Sequence, residues 1–290
     1  MRNAFIDELV FQATNNDRIA LIVGDLGYSV VEPFANQFPE RFINAGVAEQ
    51  NMMGLAAGMA SEGYHVFVYS IANFPTFRCA EQIRNDVAYH NLPVTVVAVG
   101  GGLAYGNLGY SHHAIQDYGL LRMMPNMLIA APGDAMEVRG CLRFLINNPQ
   151  PSYLRLGKNG ENICHPSTPL ITPGDWVQVR GGSLSDEVIL TTGAVLGKLL
   201  TSNIDFENRA IYSLPIWGMD LKNNQKINID KYKKIITYED HLLDCGFGSW
   251  LLETKNSYSN CEIIINAIDP IVCGMVGSQN WLEDRSGLVW

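Results

Sequence analysis

The sequence predicts an α/β protein with two domains, each a doubly wound, mostly parallel sheet covered by helices. Its 290 residues correspond to about two domains of roughly 150 residues each. Short runs rich in Val and Ile alternate with amphipathic stretches, as expected when buried parallel strands alternate with helices. Residues 159–176 are dense in Pro, Gly, Asn and Ser, which predicts a boundary between a domain of residues 1–165 and a domain of residues 166–290.

Strands and helices alternate along the first predicted domain. Asp134 as N-cap predicts the start of a helix over residues 135–146. Strands are predicted at residues 19–23, 66–69, 94–99, 127–131 and 152–156, and helices at residues 48–61, 80–90 and 135–146.

The same alternation resumes in the second predicted domain, and neither half contains an internal repeat or a low-complexity tract. Strands are predicted at residues 188–190, 209–212, 234–238 and 262–265, and helices at residues 194–201 and 248–255.

Composition and charge exclude several classes of protein. Twenty Lys and Arg against 29 Asp and Glu give a net charge of −9, which disfavours binding to nucleic acid or to an anionic membrane surface. No apolar run approaches the roughly 18 residues of a transmembrane helix. The N-terminal residues lack the order of a signal peptide, so we expect a cytoplasmic protein.

The cysteines are scattered, without a CxxC pair, which is typical of reduced, packed thiols and unlike a disulfide framework or a zinc site. We therefore expect no metal site formed by this chain alone. The six cysteines are Cys79, Cys141, Cys164, Cys245, Cys261 and Cys273.

Ligand sites in open α/β sheets lie at the carboxyl ends of the strands, so the residues that follow each strand are the candidates. Asp25 lies in a GxxG segment that is by itself most often a tight turn. Glu49 precedes a stretch of small and apolar residues. It is either a first-turn carboxylate that meets the helix dipole or a partly buried group that binds a ligand.

Aromatic and histidine residues follow the next two strands. Phe74 and Phe77 belong either to the core or to a platform for a heteroaromatic ring. A glycine-rich loop, residues 100–109, has a backbone that can fold close to a ligand, and it leads to His112 and His113. Because adjacent side chains diverge, only one of the two histidines is expected to face a site.

Three segments together resemble the transketolase family of thiamine-diphosphate enzymes. They are NAGVAEQNMMGLAAGMASEG at residues 44–63, GYSHHAIQDYGLLRMMPNMLIAAPGD at residues 109–134, and residues 235–241 with 246–249. The resemblance covers nearly the whole chain, but only the C-terminal half of the family's architecture. It implies a pyrimidine-binding domain followed by a transketolase C-terminal domain.

The resemblance also implies roles for individual residues. Glu49 would contact the aminopyrimidine ring and act in catalysis together with His112, which would also contact substrate. The cofactor-binding set is Glu49, Phe74, Phe77, Asp25 and Ile71, and the substrate-binding set is Ser29, His112, His113 and Lys158. His113 stands where the family often has Gln, and Lys158 falls near a family Arg that grips a sugar phosphate.

The family's motif for diphosphate and magnesium, a GDG followed by a distant Asn, is absent. The sequence therefore resembles the beta half of a split transketolase. This implies thiamine diphosphate as cofactor, and Mg²⁺ (or Ca²⁺ or Mn²⁺) held by a separate, N-terminal diphosphate-binding subunit. It further implies a homodimer of this chain within an α₂β₂ assembly.

Two departures concern the substrate. Leu108 stands where the family has an Asp that reads a substrate hydroxyl, and Gly100–Gly102 stand where it has a substrate-binding His. Loss of such polar partners strongly changes how the site discriminates between substrates, so an altered sugar is expected, either a deoxy, a branched or a nucleotide-linked one. The alternatives are an enzyme like deoxyxylulose-phosphate synthase, the beta subunit of a 2-oxo acid dehydrogenase, and a degenerate subunit kept for assembly or regulation.

Overall fold

Two sheets flanked by helices form the structure, a computed structural model that describes residues 1–158, 160–204, 206, 208–255 and 257–288. The strands within these ranges are β1 Ile19–Val23, β2 Phe42–Asn44, β3 His65–Ile71, β4 Val94–Val99, β5 Leu128–Ala130, β6 Ser152–Leu156, β7 Val177–Arg180, β8 Glu187–Thr191, β9 Ala210–Ser213, β10 Ile216–Gly218, β11 Lys234–Leu242 and β12 Glu262–Ile268. The helices are α1 Arg2–Asn15, α2 Glu32–Gln37, α3 Glu49–Ser61, α4 Ala80–Gln82, α5 Asp117–Arg122, α6 Ala135–Asn147, α7 Val195–Thr201, α8 Lys222–Ile229, α9 Phe247–Thr254 and α10 Gln279–Arg285.

The first sheet has the strand order β10-β5-β6-β4-β3-β1-β2. All its strand pairs are parallel except β10 with β5, in which Trp217 lies opposite Ile129. Every residue of β1, β4 and β6 is buried, because helices cover both faces. Phe5 of α1 and Leu142 of α6 pack on one face, and Met52 of α3 packs on the other.

The second sheet has the order β12-β11-β8-β9-β7, and only β7 runs antiparallel to its neighbour. The two sheets confirm the predicted fold class of two mostly parallel α/β units. The division at residue 165 stays a prediction. Strand β10 lies beyond that position in the sequence and nevertheless completes the edge of the first sheet.

The predicted strands are all present, but five helices were not predicted: the 14-residue α1 and the shorter α2, α5, α8 and α10. Strands β2, β7 and β10 were not predicted, since three or four residues are too few to show a period. The helix predicted at residues 80–90 is instead the short α4 followed by a π-helix, Ile83–Ala88. Asp134 caps α6 as predicted, and its side chain accepts a hydrogen bond from the Glu137 amide.

A buried arginine joins the two sheets. Arg155, on β6, donates from Nε to Asp117 Oδ2 at 2.7 Å and from Nη1 to Asp240 Oδ1 of β11 at 2.5 Å. Its Nη2 donates to the carbonyl oxygen of Ala114 at 2.7 Å, and Tyr153 Oη donates to Asp117 at 2.5 Å. Because these charges are buried, a substitution that removes one partner would leave the other charge unpaired. The loss would destabilise the fold by about 3–5 kcal/mol.

Two glycines of the predicted ligand-binding loop make room for this network. A Cβ on Gly101 would lie 2.5 Å from the Arg155 guanidinium, and one on Gly102 would lie 2.4 Å from Asp240 Oδ2. Gly102 also has a φ of +66°, which disfavours other residues. At these two positions the loop backbone is therefore packed against protein side chains, whereas the sequence predicted that the loop approaches a ligand.

A second buried polar cluster links α6 to the segment after β6. Asp134 Oδ2 accepts hydrogen bonds from the amides of Cys164 and His165 at 2.7 and 2.9 Å. The His165 ring lies between Asp134 Oδ2, 3.3 Å from Nδ1, and Glu137 Oε1, 3.5 Å from Nε2. Glu137 Oε2 accepts from the amide of Gly133 at 2.6 Å.

No helix in the described ranges has the length and apolar content needed to cross a membrane. The six cysteines, all within those ranges, are free thiols.

The Glu137–His165 pair predicts a loss of stability with rising pH. Burial raises the pKa of Glu137 from 4.5 to about 7. Burial alone would lower the pKa of His165, but Asp134 and Glu137 raise it above 6.5. Both groups hold a proton more tightly when folded. Their stabilisation is therefore complete below about pH 4.5, and it is lost as the pH rises through 7 and above.

We expect the free energy of unfolding in urea to fall between pH 5 and pH 8. Glu137→Gln should flatten the part of this fall below pH 7, and the same substitution at the exposed Glu62 is the control. If Glu137→Gln leaves the slope of the unfolding free energy against pH unchanged, the pH dependence does not come from Glu137.

Candidate active site

The carboxyl ends of β1, β3, β4 and β6 meet at one edge of the first sheet, and the candidate residues lie there. Glu49 is the first residue of α3, where the positive end of the helix dipole favours a carboxylate. It is 5% exposed. Its Oε1 accepts a hydrogen bond from Arg78 Nη1 at 2.8 Å. Both interpretations of Glu49 from the sequence therefore fit its position, since it is a first-turn carboxylate and it is also buried at the cleft.

An aromatic cavity lies beside Glu49. Its volume is about 310 Å³. The guanidinium of Arg78 lies over the Phe74 ring, 4.3 Å from its centroid, and Phe77 is 45% exposed. Ile71, the last residue of β3, is not among the lining residues. The cavity is lined by Asn73, Phe74, Phe77, Arg78, Tyr110, Ser111 and Gln116.

Asn73 ties the aromatic segment to the histidine loop. Its Nδ2 donates to the carbonyl oxygens of Ser111 at 3.1 Å and His113 at 2.9 Å. Its buried Oδ1 has no hydrogen-bond partner within the described part of the chain. An unpaired buried acceptor is costly.

The two histidines have different surroundings. His112 lies at the edge of the cavity, with its ring centroid 5.2 Å from that of Phe74 and its Nδ1 3.0 Å from Ser111 Oγ. Partial burial, followed by the charge of Arg78, lowers the pKa of His112, which favours the neutral ring. His113 is 1% exposed and lies in the interior, with Nε2 3.4 Å from the carbonyl oxygen of Gly106.

Asp25 and Ser29 lie on the loop after β1, and both have positive φ, 54° and 64°. Asn44 Nδ2 donates to Asp25 Oδ1 at 3.0 Å, and the Asp25 amide donates to Asn44 Oδ1 at 3.1 Å. The Ser29 amide donates to Glu32 Oε1 at 2.7 Å. Asp25 is therefore joined to the end of β2, from which the chain continues to Glu49.

Lys158 lies apart from the aromatic cavity. Its Nζ is 4.9 Å from the centroid of the Tyr105 ring, and the Tyr105 ring lies 6.4 Å from that of His112. Burial raises the pKa of the Tyr105 phenol, and the nearby Arg2 guanidinium opposes that rise. Tyr105 therefore neighbours His112 and also two cations, Lys158 and Arg2.

The Tyr105 ring lies directly over Gly100. A Cβ on Gly100 would be 2.1 Å from Tyr105 Cε2, and the φ of Gly100 is +82°. The space that the missing side chain leaves is therefore filled by the tyrosine. Leu108, the other departure, is 52% exposed.

Sequence reasoning missed Arg2, Arg78 and Tyr105. Arg78 directly follows the aromatic pair, and a lone cation beside such a pair was a usable signal. Tyr105 is the one aromatic residue within residues 100–109. Its packing on Gly100 depends on a loop conformation that the sequence does not reveal, and the position of Arg2 depends on how α1 docks.

Residues 1–160 match the family model described as transketolase, pyrimidine binding domain. The chain belongs to the transketolase family. The match confirms the family resemblance inferred from the three motif segments. The aromatic cavity at the sheet edge lies within the matched residues.

Relatives extend the match beyond these residues. The chain is 30% identical to one of the subunits of the apulose-4-phosphate transketolase of Phocaeicola vulgatus, over 87% of this chain and 82% of the relative. It is 31% identical to a putative transketolase C-terminal section of Methanocaldococcus jannaschii, over 87% and 81%. A weaker match, the 1-deoxy-D-xylulose-5-phosphate synthase of Syntrophus aciditrophicus, is 31% identical over 86% of this chain but only 39% of its own length.

The fold agrees with that of a solved transketolase chain. A structure titled split gene transketolase, inactive beta4 tetramer, superimposes with a TM-score of 0.83 at 28% identity. The alignment covers 99% of this chain and 93% of that one. The predicted resemblance to the C-terminal half of a split transketolase is confirmed.

The Gly100–Tyr105 contact in this transketolase-family chain can be tested by substitution. Gly100→Ala should cost about 2–4 kcal/mol of unfolding free energy in urea, because it combines a positive φ with overpacking against the ring. Gly58→Ala in α3, where a Cβ would meet no atom within 4 Å, should instead stabilise the chain by about 0.5–1 kcal/mol. Equal effects of the two substitutions would contradict the contact.

Proposed function

We propose that this chain is the beta subunit of a thiamine-diphosphate-dependent transketolase, a transferase that moves a two-carbon ketol unit between sugar substrates. The observation that carries the proposal is the buried Glu49 carboxylate beside an aromatic cavity of about 310 Å³. A flat heteroaromatic ring with a protonated nitrogen needs both an anionic acceptor and apolar faces. This edge of the sheet offers both.

The residues of the cavity fit the aminopyrimidine ring of the cofactor. Glu49 would accept a hydrogen bond from the ring, and Phe74 and Phe77 would cover its faces. When bound, thiamine diphosphate supplies a carbon nucleophile and an electron sink. Asp25 and Ile71, at the ends of neighbouring strands, remain proposed as more distant cofactor contacts.

The other end of the cofactor, a diphosphate with Mg²⁺, requires oxygen ligands for the metal ion. Among the described residues, no three His, Cys, Asp or Glu side chains are arranged to hold a metal ion. We therefore assign the diphosphate and Mg²⁺, Ca²⁺ or Mn²⁺ to a partner, the N-terminal diphosphate-binding subunit. The Phocaeicola vulgatus relative is named as one subunit of a transketolase, which supports such a division.

His112 is proposed as the residue that exchanges a proton with the substrate. Its lowered pKa favours the neutral ring, which can both accept and donate a proton near pH 7. Ser29 lines the same edge of the sheet. His113 is the weaker candidate for substrate contact, because it is 1% exposed.

We propose an anionic, phosphorylated sugar as substrate. The two cations near Tyr105, Lys158 and Arg2, support this class. Lys158 would bind phosphate as a point charge. The exposed Leu108 removes one polar contact, which favours a deoxy or branched sugar at that position. One relative is named for a sugar phosphate, apulose-4-phosphate.

The alternatives are less well supported. The synthase relative contains the matching region within a chain more than twice as long. A degenerate subunit has no need of a buried carboxylate facing an aromatic cavity. The free thiols suit a reducing compartment, and a cytoplasmic location is part of the proposal.

The first test concerns the partner. The isolated chain should show no turnover and no Mg²⁺-dependent binding of thiamine diphosphate by calorimetry. Activity should appear when the partner is added, in an α₂β₂ particle identified by light scattering, in which two copies of this chain form the central dimer. Tight cofactor binding by the isolated chain would contradict the proposal that it provides only part of the cofactor site. A fully active one-to-one heterodimer would contradict the proposed α₂β₂ assembly.

The second test concerns Glu49. Glu49→Gln keeps the shape of the side chain but removes the charge that stabilises a protonated ring. At saturating cofactor, we expect turnover of the complex to fall by about 10²-fold or more. Glu81→Gln, an exposed residue of α4, is the control. Activity of the Glu49 variant close to that of the unmodified complex would show that another residue activates the ring.

A further inference from the structure

Arg78 occupies the position that the proposed function assigns to the cofactor ring. Its guanidinium donates to Glu49 Oε1 at 2.8 Å and at the same time covers the Phe74 ring at 4.3 Å. It also lines the aromatic cavity. One flat cation therefore satisfies the carboxylate and covers a ring face.

A protonated aminopyrimidine has the same recognition features as this guanidinium. Both are flat and cationic, donate hydrogen bonds to a carboxylate, and pack against aromatic faces. We infer that Arg78 is a stand-in for the cofactor ring: it pairs with Glu49 in the free subunit and has to leave that position when the ring enters. This inference rests on the proposed function.

The two partners of the ion pair are unequal in burial, as such an exchange requires. The side chain of Glu49 is 6% exposed, whereas that of Arg78 is 50% exposed. A buried carboxylate needs a compensating charge at all times. A half-exposed arginine can move its guanidinium into water at little cost, because its long stem is flexible. The acceptor stays in place, and the cation is the part that can be displaced.

The exchange predicts that Arg78 opposes cofactor binding. We would measure the dissociation constant of thiamine diphosphate for the complex with the diphosphate-binding subunit, by calorimetry in the presence of Mg²⁺. Arg78→Met should tighten binding by about tenfold, a change of roughly 1.4 kcal/mol, because the ring no longer competes with an ion pair.

Arg84→Met is the matched control. Arg84 is an exposed arginine six positions further along, and it donates to the neighbouring Asn85 at 2.7 Å. Its substitution removes the same charge without touching Glu49, and the dissociation constant should not change. Weaker or unchanged binding in Arg78→Met, or equal tightening in Arg84→Met, would overturn the inference.

A second measurement needs no cofactor. In the isolated full chain, Arg78→Met should lower the midpoint of thermal unfolding by about 2 °C, since it leaves the Glu49 carboxylate unpaired. On the Glu49→Gln background this loss should disappear. Equal losses on both backgrounds would show that the two side chains are not coupled, and they would overturn the inference whatever the function.

The two measurements separate the inference from the proposed function. If the side chains are coupled but the unmodified complex does not bind thiamine diphosphate, the proposed function fails, and the displacement step fails with it. If the unmodified complex binds the cofactor but Arg78→Met does not tighten binding, the stand-in role fails alone and the proposed function remains.

Discussion

The ion pairs of Arg155 are the constraint on which the rest of the structure depends. They connect β6 of the first sheet to the start of α5 and to β11 of the second sheet. Such a network adds little net stability over an apolar core of the same volume, since desolvation offsets the attraction. The network instead fixes the relative positions of these elements, because each carboxylate accepts its hydrogen bonds in a defined direction. The loop from Gly101 to Ala114, which includes His112, is held between these groups.

The position of the candidate site depends on this constraint. We propose that the site is one half of a cleft. The groups that suit a heteroaromatic ring, Glu49, Phe74 and Phe77, lie on the first sheet. Among the described residues, no three His, Cys, Asp or Glu side chains are arranged to hold a metal ion. Phe77 and Tyr110 are 45% and 50% exposed, and exposed aromatic groups around a cavity are typical of a surface completed by another chain. The proposed division of the site between two subunits would let assembly control activity.

The sequence predicted what depends on local patterns and missed what depends on tertiary packing. The long strands, helices α3 and α6 and the Asp134 cap follow from period and capping. Strand β10 was missed because its pairing with β5 is set by distant residues. Glu49, Phe74 and His112 were found through motifs. Arg78 and Tyr105 act through contacts that only the folded loops create. The glycines at 101 and 102 were assigned to a ligand, but they accommodate Arg155 and Asp240.

Strand β10 has a consequence for synthesis on the ribosome. The first sheet draws its six parallel strands from residues 19–156, but its last edge is closed by Ile216–Gly218. Until some sixty more residues have been translated, β5 presents an unpaired edge that can recruit another nascent chain. A gene divided after the matched pyrimidine-binding residues would make that exposure permanent. In this chain a three-residue strand from the second part of the sequence therefore protects the edge of the first sheet.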